Sequence, residues 1–157
     1  MNKTTYPHLI LVLLTIMLGA CASSDIRPEN PEVTRRMHTI DRARVATMVI
    51  YRPSEFAGAA LRPTVELDGK DLVNIGNGKV FVSPISSGHH IFEMDDKNSG
   101  TSVDLKPGDA VYLKIEIVPG FWKGGGKLTQ VTPQQGGYEA TRLELIEPRE
   151  IEDASYR

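Results

Sequence analysis

The chain has 157 residues, with 18 Lys+Arg against 20 Asp+Glu, 40% hydrophobic residues and one cysteine. That length suits one domain rather than two ordinary enzyme domains. A net charge of -2 provides no basic field to hold nucleic acid, and one cysteine makes neither an internal disulfide nor a cysteine-rich zinc site.

Residues 1–8, MNKTTYPH, carry a single lysine, and residues 9–18, LILVLLTIML, are apolar and uncharged. Small residues then lead to Cys21. A basic flank, a short apolar core and a small-residue cleavage region are the three parts of a secretory signal. The apolar run is too short for a membrane-spanning helix, which takes about 20 residues. The run Leu18-Gly19-Ala20-Cys21 resembles a bacterial lipobox. That resemblance implies cleavage before Cys21 by signal peptidase II, diacylglycerol on the Cys21 thiol, and acylation of its amine. Each buried methylene contributes about 0.8 kcal/mol, so two or three acyl chains hold a domain firmly on a bilayer. Ala22 and Ser23 follow, without the aspartate that retains such proteins at the inner membrane of Gram-negative bacteria. The implied location is the periplasmic face of the outer membrane. Removing 20 residues and one lysine leaves 137 residues with 17 basic and 20 acidic side chains, net -3.

Residues 22–32 are small, polar and interrupted by Pro28 and Pro31, and read as a tether. Val33, Met37 and Ile40 recur at helical spacing, which permits a short helix. A flexible 22–40 segment would span on the order of 25 Å, lifting the domain clear of the lipid.

From Arg44 onward, short β-rich runs alternate with turn residues. They cover 44–53 (ended by Pro53), 64–70, 71–78, 79–85, 89–95, 102–108, 109–118 and 127–132. Asp68-Gly69 is a hairpin signal, which Asn77-Gly78 repeats, and Gly88 and Gly108 mark later turns. In 109–118, Val111, Leu113, Ile115 and Ile117 share one face, with Tyr112, Lys114 and Glu116 on the other. Lys114 and Glu116 would there protect an exposed edge strand from pairing. Residues 133–147 admit a short helix or a closing strand over YEATRLELI, and the strand is narrowly favoured. The polar residues 148–157 are expected to fray. These elements predict an all-β chain: a small antiparallel β-sandwich of about seven or eight strands over 44–147, with a helix near the C-terminus as the variant.

No catalytic signature accompanies this pattern. His89 and His90 leave a strand on opposite faces, and His89 lies about 13 Å along the strand from Glu93, too far for one metal. His90 is therefore expected to pack in the core or across strands, with a ligand surface as the lesser reading. Gly124-Gly125-Gly126-Lys127 lacks the spacing and hydroxyl of a phosphate loop. Asp68, Asp71, Asp95, Asp96 and Asp109 sit at turns, where solvated aspartates are usual. GxSxG and HExxH are absent. Phe121 and Trp122 are the strongest candidates for a ligand or partner surface, since large rings supply apolar area at low conformational cost. Capping the open end of the core explains them as well.

Tyr51-Arg52-Pro53-Ser54-Glu55-Phe56-Ala57-Gly58, then Val65-Glu66-Leu67-Asp68-Gly69, Asn77-Gly78-Lys79-Val80-Phe81 and Gly88-His89-His90-Ile91 occur in an order that resembles the DUF2846 family of small bacterial lipoproteins. It is more distantly similar to PEGA-type surface modules. The resemblance covers about residues 45–132 and implies a β-sandwich with a "D-G" turn, a "P-G-x-H" turn in which Ser87 replaces the usual proline, and an "L-K-P-G" turn at 105–108. It implies no catalytic residues. Phe56 is expected to pack its loop onto the sandwich. The functional expectation is a lipid-anchored, non-enzymatic interaction or accessory module of the envelope, without cofactor or metal. Its partners would be the membrane, an envelope protein or cell-wall component, and a weak homodimer formed by strand addition. A small-ligand or glycan binder and an envelope enzyme using Asp, Glu and His are the alternatives.

Overall fold

Among the residues described by the computed structural model, 27–118 and 126–157, nine strands form two facing sheets. One sheet has the order β8 (Gly126–Val131), β7 (Ala110–Ile117), β1 (Ala46–Tyr51), β4 (Lys79–Ile85), β9 (Glu144–Leu145). The other runs β3 (Lys70–Asn74), β2 (Thr64–Leu67), β5 (Gly88–Met94), β6 (Gly100–Leu105). This is the expected β-sandwich. Its pairings are antiparallel with two exceptions: β1 runs parallel to β7, and β4 parallel to β9.

Alternate residues of each strand meet between the sheets. Met48, Ile50, Phe81, Leu113 and Ile115 come from one side, and Val65, Leu67, Phe92, Met94 and Val103 from the other. A second apolar cluster lies on the outer face of the five-stranded sheet, around Val49, Tyr51, Val80 and Val82. Two helices cover it, so every residue of β1 is buried. Helix α1 (Pro31–Thr39) begins at Asn30, whose side chain accepts a hydrogen bond from the Glu32 amide, with Pro31 in the first turn and Arg36 and His38 in the last. Val33 is buried, and Met37 and Ile40 pack beside it. The helical spacing read from the sequence thus marks a docked face, and residues 31–40 belong to the domain rather than to a flexible tether.

Helix α2 (Pro133–Ala140) replaces the favoured closing strand. Thr132 caps it by accepting from the Gln135 amide, and Pro133 fixes its first turn. Only Glu144 and Leu145 of that stretch pair as strand. The helix lies over β7 and β1, and β7 is an interior strand because β8 and β1 pair with it on either side. Lys114 and Glu116 therefore guard no edge. Alternation within a strand fixes which side chains share a face and says nothing about which strands lie alongside.

Gly69, Gly78, Gly88 and Gly108 all have positive φ, as the turn assignments require. Asp68 (φ 52) and Gly69 (φ 78) form the tight loop of the β2–β3 hairpin. Asn77-Gly78 instead carries the chain from one sheet to the other, because β3 and β4 belong to different sheets. Pro53 follows the end of β1 as expected.

The last ten residues do not fray. Ile151 is buried and bridges Val73 on the edge strand β3. The Glu152 amide donates to the Leu72 carbonyl at 2.9 Å, and the buried Glu150 pairs with Arg62 at 2.5 Å. A polar composition concealed one apolar anchor and a paired carboxylate, and the segment covers part of an edge that strand addition would use.

Candidate functional site

Four places gather polar or apolar groups in a way that bears on function. The first surrounds His90. Its strand position turns the ring inward, where it is 8% exposed. Nδ1 lies 2.8 Å from Asp68 Oδ2, while Nε2 lies 3.0 Å from the Ser86 carbonyl oxygen and 3.4 Å from Ser86 Oγ. Asp68 Oδ1 also accepts from the Ile91 amide at 2.9 Å. A serine, a histidine and an aspartate thus adjoin, as nothing in their sequence spacing indicated. The geometry is that of a latch. Both ring nitrogens face acceptors, the Asp68 carboxylate and the Ser86 carbonyl, and the Ser86 hydroxyl is the more distant neighbour of Nε2. The ring ties the β2–β3 turn to the β4–β5 turn, which agrees with the expected packing role. It also shows that Asp68 is a tied turn residue rather than a freely solvated one.

The second place is the seat of α2. Tyr51 Oη donates to Glu139 Oε2 at 2.8 Å, Gln135 Nε2 donates to Glu139 Oε1 at 3.0 Å, and Lys114 Nζ approaches Glu139 Oε2 at 3.2 Å. Burial first, then the neighbouring Glu139 carboxylate, pushes the Tyr51 phenol far above its ordinary value, so it stays a neutral donor. A cleft of about 230 Å³ opens beside this group, lined by Pro53, Ser54, Lys114, Tyr138 and Arg142 among others. Sequence reasoning missed the cluster because its members come from three elements.

Both carboxylates carry a pH signature. Burial works to raise the Asp68 carboxyl, but the Ile91 amide and the His90 ring outweigh it and hold it below 3.8. At Glu139 burial likewise opposes, and Gln135, Tyr51 and Lys114 bring it below 4.5. A carboxyl depressed in the folded state adds stability that is complete above its ordinary value and disappears as pH falls through its native value. Urea unfolding midpoints should therefore drop on acidification from about pH 6 to about pH 2, and less steeply in Asp68→Asn. Parallel curves for the two proteins would remove Asp68 from this account.

The third place is the end of the sandwich where β1 and β7 finish. Arg52 is 2% exposed, and its guanidinium donates to the Leu61 carbonyl at 2.5 Å and the Gly58 carbonyl at 2.7 Å. The loop between β1 and β2 is thereby pinned against the end of β7, where Gly58 faces Ile117. Phe56 does not pack the loop down, as expected, but is 101% exposed. The buried arginine already secures the loop from within and leaves the ring outside.

A polar groove of about 680 Å³ runs beside β6 and β7, lined by Arg42, Asp104, Asp109 and Gln130 among others. Among the described residues, no three His, Cys, Asp or Glu side chains converge as metal ligands, and no helix is long and apolar enough to cross a membrane. Cys21, Phe121 and Trp122 lie outside the described residues.

Comparison with known proteins adds one likeness. An uncharacterized protein of Haemophilus influenzae is 22% identical over 145 residues, 91% of this chain and 86% of that protein. No family model and no solved structure matches the chain.

Proposed function

We propose that this chain is a lipid-anchored lipoprotein of the cell envelope, held by acylated Cys21 at the periplasmic face of the outer membrane. Its β-sandwich serves there as a non-enzymatic interaction or accessory module. The observation that carries this reading is the run Leu18-Gly19-Ala20-Cys21 directly after a ten-residue apolar stretch. The turn residues Asp68, Gly69, Gly88 and His90 support kinship with DUF2846-type and PEGA-type modules. In both motifs they act as structure, since His90 is spent on holding two turns together.

Intact-mass measurement of the protein purified from membranes should find Cys21 as the mature N-terminus, carrying diacylglycerol and a further acyl chain. Cys21→Ser should move the protein from the membrane to the soluble fraction. An unmodified Cys21 at the mature N-terminus, or a Cys21→Ser protein that stays with the membrane, would overturn the anchor. The small-ligand or glycan reading is favoured by the polar groove, where Arg42, Asp104, Asp109 and Gln130 offer both donors and acceptors.

A further inference from the structure

We propose that the loop over residues 54–61, with Phe56 at its tip, is a second membrane contact that inserts into the bilayer holding Cys21. This rests on the lipoprotein reading above and goes beyond it, since an acyl anchor by itself sets no orientation.

The loop exposes Ser54 and Glu55 at its start and is apolar from Phe56 onward. Phe56 is wholly exposed, and Ala57, Ala59 and Ala60 around it are exposed and uncharged. It is also held in shape. Two carbonyls are bound by the Arg52 guanidinium, the Ala59 amide donates to the Phe56 carbonyl at 3.3 Å, and the Leu61 amide donates to the Gly58 carbonyl at 2.9 Å. A loop fixed from within presents its ring without further ordering on contact.

Chain geometry identifies the occupant as lipid. The Asn30 amide donates to the Thr141 carbonyl at 2.6 Å and its side-chain amide to the Leu143 carbonyl at 2.9 Å. Leu143 shares a cleft with Pro53 and Ser54, at the root of the loop. The chain therefore leaves toward Cys21 from the end that carries Phe56. Eight residues lie between Cys21 and Asn30, nine Cα-to-Cα steps that reach at most about 30 Å in any conformation. That is close to the diameter of the domain itself. The end bearing Phe56 is thus held within one tether length of the acyl chains, at the high effective concentration that makes a weak apolar contact sufficient. Phe56 and the alanines that follow it enter the boundary between headgroups and acyl chains, while the exposed Glu55 before the ring stays at headgroup level.

The test uses the acylated protein in vesicles of phosphatidylethanolamine and phosphatidylglycerol. A polarity-sensitive fluorophore is placed on Ala57→Cys, and in a second preparation on Ser87→Cys, an exposed position in the turn at the opposite end. The lipid of Cys21 leaves the introduced thiol as the one to label. A nitroxide on a shallow acyl carbon should quench the label at 57 several-fold more than the label at 87. Adding Phe56→Asp should abolish the difference without lowering the unfolding temperature. Equal quenching at both positions overturns the contact. A label at 57 shielded in native envelopes but untouched by the nitroxide assigns the loop to a protein surface and also overturns it. The mass of Cys21 in the same preparation separates the two readings. An acylated protein with an unquenched 57 refutes the contact and leaves the anchor standing, whereas an unmodified Cys21 refutes both.

Discussion

Replacing Arg52 with alanine should cost about 4 kcal/mol of folding stability, the largest loss expected of any single substitution proposed for this protein. The side chain is almost fully buried at the end of β1, and its guanidinium satisfies the carbonyls of Gly58 and Leu61. Burial, the main influence, holds the group below its usual value, with nearby Glu55 partly offsetting it. Truncation would leave a void of arginine size and two carbonyls without donors, and each unsatisfied group costs about 1–3 kcal/mol. Arg52→Met separates these contributions, because it fills most of the space and still offers no donor. Arg52→Lys should fall between Arg52→Met and the unsubstituted protein, since an ammonium on a flexible stem replaces a planar fork only in part. Urea unfolding ranks the three. If methionine matched arginine, the hydrogen bonds would be irrelevant and the site would be simple packing.

The second large effect concerns two adjacent glycines with opposite outcomes. Gly136 and Gly137 both lie inside α2, where alanine is intrinsically favoured by about 1 kcal/mol. Helix propensity alone makes both Gly→Ala changes stabilising. At Gly136, however, an added Cβ would stand 2.5 Å from the Tyr112 Cβ and closer still to its ring. Rotating the ring cannot relieve that contact, because the Tyr112 Cβ is fixed to the backbone of β7. The helix would have to lift, loosening Ala140 and Leu143 from the outer cluster. Gly136→Ala should therefore lose about 3 kcal/mol. At Gly137 the nearest atom to an added Cβ is the Tyr112 hydroxyl at 4.0 Å, so Gly137→Ala should gain about 0.5–1 kcal/mol. Thermal unfolding reads both signs directly, and two stabilised variants would contradict the close seating of α2 on β7.

These two sites mark the limit of sequence reasoning here. Gly136 and Gly137 carry poor helix propensity, and the closing strand favoured by the sequence lies just beyond them, over YEATRLELI. The helix forms because Thr132 and Pro133 start it and because Gly136 lets it press against Tyr112, a partner twenty-four positions away. In the sequence Arg52 is only the residue before a strand-ending proline. Phe56 was assigned to packing, the usual fate of a large ring, and the structure exposes it because Arg52 already holds the loop. The His90 site was half legible: alternation turned the ring inward, but the meeting with Asp68 and Ser86 needed the pairing of β2 with β5.

The positions of most strands, the hairpin at Asp68-Gly69, the glycines of left-handed backbone and the signal-like run before Cys21 are all legible in the order of residues. Each of these is written in a few consecutive residues, by a two-residue alternation, a steric demand at one φ or a linear run of apolar side chains. Packing sets the rest: β1 and β7 run parallel, β7 lies inside its sheet, α1 and α2 form a third layer, and the tail covers part of an edge. It also decides that an arginine is buried while a phenylalanine stands in solvent. Those outcomes depend on which distant surfaces meet, and the burial of any one side chain is settled by the element packed over it.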